Sequence, residues 1–490
     1  MHPRGDGHRK MIQYLSITGG SPPVDLESAI IQGFASDGGL FVPDRIPLVS
    51  PVMLDSWSDL SYTDLAFEIV SFFIDPTMIS THTLRDMLTD SFSPFTHPHV
   101  VPVVQPSADE QLWVMELFHG PTLSFKDVAM GFLVNLLNLL LKRKNQRLNL
   151  LVVTSGDTGP AAAHAAAGKS HLDCWVLFPT GMISEQQQRQ MTTLEAANVH
   201  AIGVDRCRGG CDDLDRVVAG LFADADFRRQ VELSSVNSIN WGRVLMQIVH
   251  YFYAYFQVAR KIGEPIAFAV PTGAVGNLFS GYLARQMGLP IDTLIAANNQ
   301  NAAVHRLLTT GTMTRTDLVQ SYSSAIDIVI PCNLWRYLYF AADRNHDRIY
   351  RWMTTFETSG QVVFDAQTLD NLRQGLVTAE VDDRQAIDTM AAMHRHSGYL
   401  LDPHGAVAVA AARQTRQQLS AQTKVVCLAT AHPAKFPQVI RKALRPDGRL
   451  PAAATHTSIR QAATYLQRLR SGDLDDLAAG LRRSILAVSH

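Results

Sequence analysis

Three apolar runs in this chain each end in a turn of small residues. Leu150–Val153 leads into T-S-G-D-T-G and then the Ala-rich stretch 161–168. Ile266–Val270 leads into P-T-G-A-V-G-N and a helical stretch reaching Met287. Val425–Ala429 leads into T-A-H-P-A-K-F-P. Cys174–Phe178 and Thr293–Ala297 read as further strands of the same kind. Short apolar strands alternating with helices predict parallel sheets in an α/β fold. Ligands of such sheets bind beyond the carboxyl ends of the strands, which is where the three turns fall.

A chain of 490 residues, 46% hydrophobic and 18% charged, has enough material for two or three domains with a sizeable core. Helical patterning over Leu26–Phe34, Tyr62–Ile74 and Thr83–Leu88, with Asp25 as an N-cap, predicts a helical module over residues 1–95. The α/β pattern occupies 96–450. The Arg-bearing residues 451–490, with Arg460, Arg468, Arg470, Arg482 and Arg483, predict an amphipathic helix pair.

Lys plus Arg is 43 and Asp plus Glu is 45, a balance that argues against a nucleic-acid partner. The longest apolar run, Gly131–Leu141, falls short of the roughly 20 residues needed to span a bilayer, so no membrane role is expected. Met1–Lys10 is polar and basic without an apolar segment, unlike a secretory signal. The five scattered cysteines fit a reducing compartment, so a cytoplasmic protein, monomer or homodimer, is expected. Cys207 and Cys211 form C-R-G-G-C without a second ligand pair; two thiols on one loop is the simpler reading, and no metal site is expected.

In E-L-F-H-G-P-T-L-S-F-K-D, Lys126 stands alone among apolar residues. Burial there would lower its pKa and leave a neutral amine able to attack an aldehyde. The other reading is a solvated lysine at a helix start. T-S-G-D-T-G can hold a carboxylate with backbone N–H groups and hydroxyls, or is an ordinary capped turn. In P-T-G-A-V-G-N, Gly273 and Gly276 allow close backbone approach to a phosphate and a positive φ. A phosphate cup, a carboxylate loop and an amine are together what pyridoxal 5′-phosphate (PLP) acting on an amino acid requires.

The ordered motifs resemble those of the threonine synthase family, of PLP fold type II, and cover residues 14–440 collinearly. They are A-S-D-G-G-L-F-V-P (35–43), H-G-P-T-L-S-F-K-D (119–127), T-S-G-D-T-G (154–159), Q-R-Q-M-T-T (188–193), V-N-S-I-N-W-G-R (236–243), V-P-T-G-A-V-G-N (270–277), D-P-H-G-A-V-A-V-A-A-A (402–412) and A-T-A-H-P-A-K-F-P (429–437). Y-F-Y-A-Y-F (251–256) and I-P-C-N (330–333) lean toward the threonine synthase-like branch. The resemblance implies Lys126 as the Schiff-base lysine. It implies Gly273, Ala274, Val275, Gly276 and Asn277 as the cofactor-phosphate loop, Asp157 near the cofactor hydroxyl and Thr430 at the pyridine nitrogen. Thr154, Ser155 and Thr158 match the substrate-carboxylate loop. Asn240 and Arg243 are implied for the substrate phosphate, with His119 and Lys435 as further candidates or structural hydrogen-bonding groups.

Departures from the family pattern fall at Thr18 (for arginine), Pro160, Ala274 and Val275, in N-N-Q-N-A-A-V (298–304) with Ala302 and Ala303, where an acidic pair is gone, and at Trp335 (for glutamate). They lead to the expectation of an altered substrate pocket. The resemblance implies loss of phosphate from O-phosphohomoserine, an amino-acid phosphate, or from a close analogue. The product is threonine if water adds at Cβ and 2-oxobutyrate if it does not; the departures favour the second. Addition of another nucleophile, or a non-catalytic relative, are the alternatives.

Overall fold

A computed structural model of the chain describes residues 11–107, 110–444, 450–462, 467–468 and 470–489. The expectation for Met1–Lys10 lies outside the described residues.

The N-terminal part pairs Tyr14–Ser16 antiparallel with Phe41–Pro43 and adds helices Leu26–Gln32, Pro51–Trp57, Tyr62–Val70 and Thr81–Phe92. Each helix opens on a side-chain cap. Asp25 accepts from Ser28 N at 2.8 Å, and Ser50, Ser61 and Ser80 do the same for the helices that follow. Tyr62 meets Tyr253 edge-on at 5.2 Å, and Trp57 meets Phe252 at 6.2 Å. These aromatic contacts dock the module on the long buried helix Trp241–Val258.

Two sheets carry the rest. One has five parallel strands in the order Arg470–Asp473, Val199–Asp205, Leu172–Pro179, Leu148–Val153, Leu233–Ser234. The other has six, in the order Leu376–Glu380, Ile291–Asn298, Ile266–Pro271, Lys424–Ala429, Leu112–Glu116, Val103–Val104, with the last edge antiparallel. Every residue of Leu148–Val153, Leu172–Pro179, Ile266–Pro271 and Lys424–Ala429 is buried. Helices cover both faces of such sheets, so their strands read as continuous apolar runs rather than alternating ones. All five strands read from the sequence are present.

The C-terminal segment departs from the expected helix pair. Helices Thr457–Ala462 and Leu477–Ser489 flank an edge strand, Arg470–Asp473, that extends the five-stranded sheet. Its R-S-G-D sequence has no apolar alternation. Parallel pairing with Val199–Asp205 and the ion pair Arg206–Asp473 fix it there. No helix among the described residues is long and apolar enough to cross a membrane.

Candidate active site

The carboxyl ends of both sheets open on one cavity of about 1440 Å³. Its wall is built by the ends of Leu148–Val153 and Ile266–Pro271, by the turns that follow them, and by Lys126 and Thr430.

Lys126 begins helix Lys126–Lys144, and the turn before it is tightly specified. Leu123 takes a left-handed φ of 60°. The buried carboxylate of Asp127 accepts from Thr122 Oγ1 at 2.6 Å and Thr122 N at 2.9 Å. A Cβ at Gly120 would stand 2.5 Å from Asp127, so that position needs glycine. Phe125 N donates to Thr430 O (2.8 Å) and His432 N to Leu123 O (3.0 Å), which ties the turn to the end of Lys424–Ala429 in the six-stranded sheet. The result is a half-buried amine lining the cavity. Burial, reinforced by the nearby Arg243 charge, pushes the Lys126 amine down to about 7. Lys126 is therefore not a fully solvated surface lysine.

The turn Gly273–Asn277 lines the cavity throughout. It opens helix Gly276–Gln286, whose N-terminus has no side-chain cap. Unused N–H groups at such an end attract anions. The expected positive φ at the glycines is not found; it falls on Val275, at 66°. Glycine is required at 273 for space instead, because a Cβ would lie 2.9 Å from Ile326 Cα. At 276 the closest atoms are side-chain atoms of Asn333 and Ser238, at 3.3 Å. Asn277 Oδ1 accepts from His250 Nε2 and Tyr251 OH, while its buried Nδ2 has no partner among the described residues.

The second turn is divided. Ser155 and Thr158 line the cavity. Thr154 does not: its Oγ1 accepts from Gly156 N (3.0 Å) and Gly159 N (2.9 Å) and shapes the turn from behind. Asp157 is not among the lining residues either. Its Oδ1 meets Lys435 Nζ at 2.6 Å and accepts from Gln187 Nε2 at 2.9 Å. Pro160 sits in the first turn of Thr158–Ala166, where the missing N–H costs little.

Arg243 is 1% exposed and lines the cavity. Nη1 donates to Val236 O at 2.9 Å; Nε and Nη2 have no partner among the described residues. Burial pushes this guanidinium down to about 10, so it still carries its charge. Two buried, unpaired donors on a cation are costly without an anion.

Asn240 is not part of this wall. It is the N-cap of Trp241–Val258, with Oδ1 accepting from Gly242 N and Nδ2 donating to Ile30 O and Ser235 O. Asn237 and Ser238 of the same motif do line the cavity, and so does Gln247, one turn beyond Arg243. These three were missed. The N-cap preference for asparagine was the signal that would have assigned Asn240 to the helix end, and the four-residue spacing would have added Gln247. His119 is also outside the lining; its Nε2 pairs with Glu116 Oε2 at 2.8 Å. Lys435, fully buried, serves Asp157 and Thr122 O rather than the cavity.

Of the departures, Ala274 and Val275 line the cavity; Thr18, Ala302, Ala303 and Trp335 do not. Thr18 Oγ1 donates to Asp37 at 2.7 Å, Ala302 and Ala303 start helix Ala303–Thr310, and Trp335 packs edge-on against Phe356. The expectation that these four reshape the substrate pocket is not met by their positions. Cys207 and Cys211 are both buried, Cys211 in the first turn of Cys211–Ala223 and in the cavity wall.

Comparison with known proteins gives three matching family models. Residues 13–92 match the threonine synthase N terminus, 100–431 the pyridoxal-phosphate dependent enzymes, and 405–477 the threonine synthase C-terminal region. The threonine synthase of Pseudomonas aeruginosa is 38% identical over 91% of this chain and 92% of its own. A threonine synthase-like 2 protein of Xenopus laevis is 39% identical over 89% and 91%. The crystal structure of PLP-bound threonine synthase from Brucella melitensis superposes with a TM-score of 0.87 at 34% identity, covering 96% of this chain and 99% of that one. The yeast threonine synthase structure gives 0.88 at 33%, covering 97% and 99%. With a lysine amine, an uncapped helix start and a divided turn meeting in one cavity, the chain belongs to the threonine synthase family and is a pyridoxal-phosphate-dependent enzyme.

Proposed function

We propose that this enzyme eliminates phosphate from O-phosphohomoserine and adds water at Cβ, giving threonine. The observation that carries this reading is the pairing of a neutral-range Lys126 amine with two separate places for anions in one cavity. One is the helix start at Gly273–Asn277, with Ser238 beside Gly276, and the other is the wall formed by Arg243 and Asn237. A substrate that brings its own phosphate to a phosphate-bearing cofactor needs both.

The residues fit PLP. Gly273 leaves the space that a side chain would fill, Asn277 Nδ2 is unpaired, and Lys126 is poised as the amine. When bound, PLP supplies an aldehyde for amines and an electron sink for the carbanion next to it. We assign the backbone N–H groups of 273–277 to its phosphate and the Thr430 hydroxyl to its ring nitrogen. Ser155, Thr158 and the start of Thr158–Ala166 hold the substrate carboxylate. Lys126 Nζ takes the α-proton, gives it up to water in the cavity, and as a neutral amine again takes a β-proton, a role open to an amine whose pKa lies near 7. Arg243 Nε and Nη2 bind the leaving phosphate dianion, with Asn237 alongside. Thr154, Asn240, His119 and Lys435 are given no contact with substrate. The division at about 95 and 450 into N-terminal, catalytic and C-terminal parts belongs to the same proposal.

Threonine is favoured over 2-oxobutyrate because the four departures that favoured the keto acid lie outside the cavity wall. Incubation of the purified enzyme with O-phosphohomoserine, with both products quantified by mass spectrometry, tests this. Threonine in excess is expected; 2-oxobutyrate in excess overturns it.

A further inference from the structure

Behind Lys126 lies a buried polar knot that the proposed chemistry leaves unused. Lys435 is 0% exposed and Asp157 2% exposed, and their Nζ and Oδ1 are 2.6 Å apart. Lys435 Nζ also donates to Thr122 O at 3.1 Å. Thr122 O accepts a second bond from Gln190 Nε2 at 2.9 Å, and Thr122 Oγ1 donates to Asp127 at 2.6 Å. On the far side, Asp157 Oδ1 takes Gln187 Nε2 at 2.9 Å. The knot thus gathers the turn before Lys126, the turn after Leu148–Val153, the helix Glu185–Thr192, and a residue reached from the other sheet through Lys424–Ala429.

A buried lysine–aspartate pair is a poor choice for mere packing. Taking both charges out of water is costly, and an apolar pair of similar volume often serves stability as well or better. What an ion pair does better than an apolar contact is fix geometry, because the alternative arrangements leave a buried charge unpaired. Here the geometry fixed is that of two turns from opposite sheets, one of which sets Lys126. Burial alone would raise the Asp157 carboxyl; the charge of Lys435, helped by His404 and the hydrogen bonds, outweighs it and holds the group below the usual carboxylate range. Asp157 is therefore ionised over the working pH range. The other titratable groups that sense Lys435 are Lys126, Asp127, His164 and His432.

We infer that Lys435 is a positioning residue for the reaction, which acts through Asp157 and Thr122 to lock the Lys126 turn across the two sheets and makes no contact with the substrate. The inference rests on the proposed function for its kinetic readout only. The test is the double variant Lys435→Met/Asp157→Asn, which removes both charges together and leaves neither unpaired. A turn loosened by ~1 Å can cost roughly 100-fold in rate. The expected result is a kcat at least about tenfold lower with O-phosphohomoserine and a KM within about threefold of wild type. Faster amide exchange is also expected in peptides spanning 119–128 and 154–159, with the strands Leu172–Pro179 and Ile266–Pro271 unchanged. A raised KM with kcat kept would make Lys435 a substrate contact and overturn the inference, as would unchanged kcat and exchange. If the double variant does not fold, Lys435→Arg, which keeps the charge but not the fit of the amine between Asp157 and Thr122 O, carries the test. A kcat about threefold lower at constant KM is then expected, and wild-type kcat and exchange overturn the inference. Should the wild-type enzyme not turn over O-phosphohomoserine, the proposed function fails, and the exchange measurement still decides the positioning role.

Discussion

The turns 154–159 and 273–277 look alike in sequence. Both follow a buried strand, both are rich in small residues, and both open a helix at the cavity. Their side chains are used in opposite ways. In the first, Thr154 is consumed by two backbone N–H groups and Asp157 by a buried ion pair, so that Ser155 and Thr158 are left for a ligand. In the second, the whole stretch faces the cavity, Asn277 keeps an unpaired Nδ2, and even Val275 accepts a left-handed backbone to maintain the path. The first turn is held by its own side chains, while the second is held by its surroundings and leaves its donors free. A motif at a helix start therefore marks where an anion can bind, but the neighbours decide which of its residues do the binding.

The largest effect expected lies between the two turns. Lys126→Ala should lower turnover by roughly 10³-fold or more while the protein stays folded, since a single amine serves as attachment point and base. Steady-state rates with a circular dichroism control check this, and a variant within tenfold of wild type would remove Lys126 from the chemistry.

The next test is pH. An ordinary lysine, near 10.4, is an ammonium at neutrality; burial and Arg243 bring Lys126 down to about 7. The amine is charged below that value and neutral above it. Stopped-flow capture of PLP by cofactor-free enzyme should slow about tenfold per pH unit below the midpoint and level off above it. A midpoint near 10 would mean that the amine is solvated.

The two turns then separate by substitution. Gly273→Val forces a Cβ to within 2.9 Å of Ile326 Cα and should weaken PLP binding by about tenfold or more. Gly276→Val meets only side-chain atoms at 3.3 Å and should cost less. Equal losses in a PLP titration would mean that backbone crowding is not what distinguishes the two positions.

In the first turn, Thr154→Val should lower stability by about 1–3 kcal/mol through two orphaned N–H groups, with little change in KM. Thr158→Val should do the reverse. Denaturant melts and KM values for both variants decide whether the turn is divided in the way the hydrogen bonds indicate.

Much of this was legible in the sequence. The buried strands were readable because burial on both faces writes itself as unbroken apolar runs, as in Ile266–Pro271. Lys126 was readable because a lysine amid apolar residues stands out. The edge strand Arg470–Asp473 was not, because its pairing with Val199–Asp205 comes from tertiary contact and leaves no pattern in R-S-G-D. Within N-S-I-N-W-G-R the sequence offers Asn240 and Arg243 as candidates for the substrate phosphate, whereas Asn237, Ser238 and Arg243 face the cavity. The difference depends on the residue at which the helix begins, and that start is Trp241. Thr18, Ala302, Ala303 and Trp335 show the same limit: a departure in a motif is visible in sequence, but its distance from the cavity is not.

The identity of the amine that meets the cofactor decides whether this cavity is the catalytic site. Reduction of the PLP-loaded enzyme with borohydride, followed by proteolysis and mass spectrometry, locates the pyridoxyl group directly. Lys126 lies in the cavity wall, and Lys435 is buried at its ion pair with Asp157. The predicted result is a single modified peptide carrying the group on Lys126, with Lys435 unmodified. Label on Lys435 or on any other lysine, with Lys126 unmodified, would contradict the assignment of this cavity as the catalytic site.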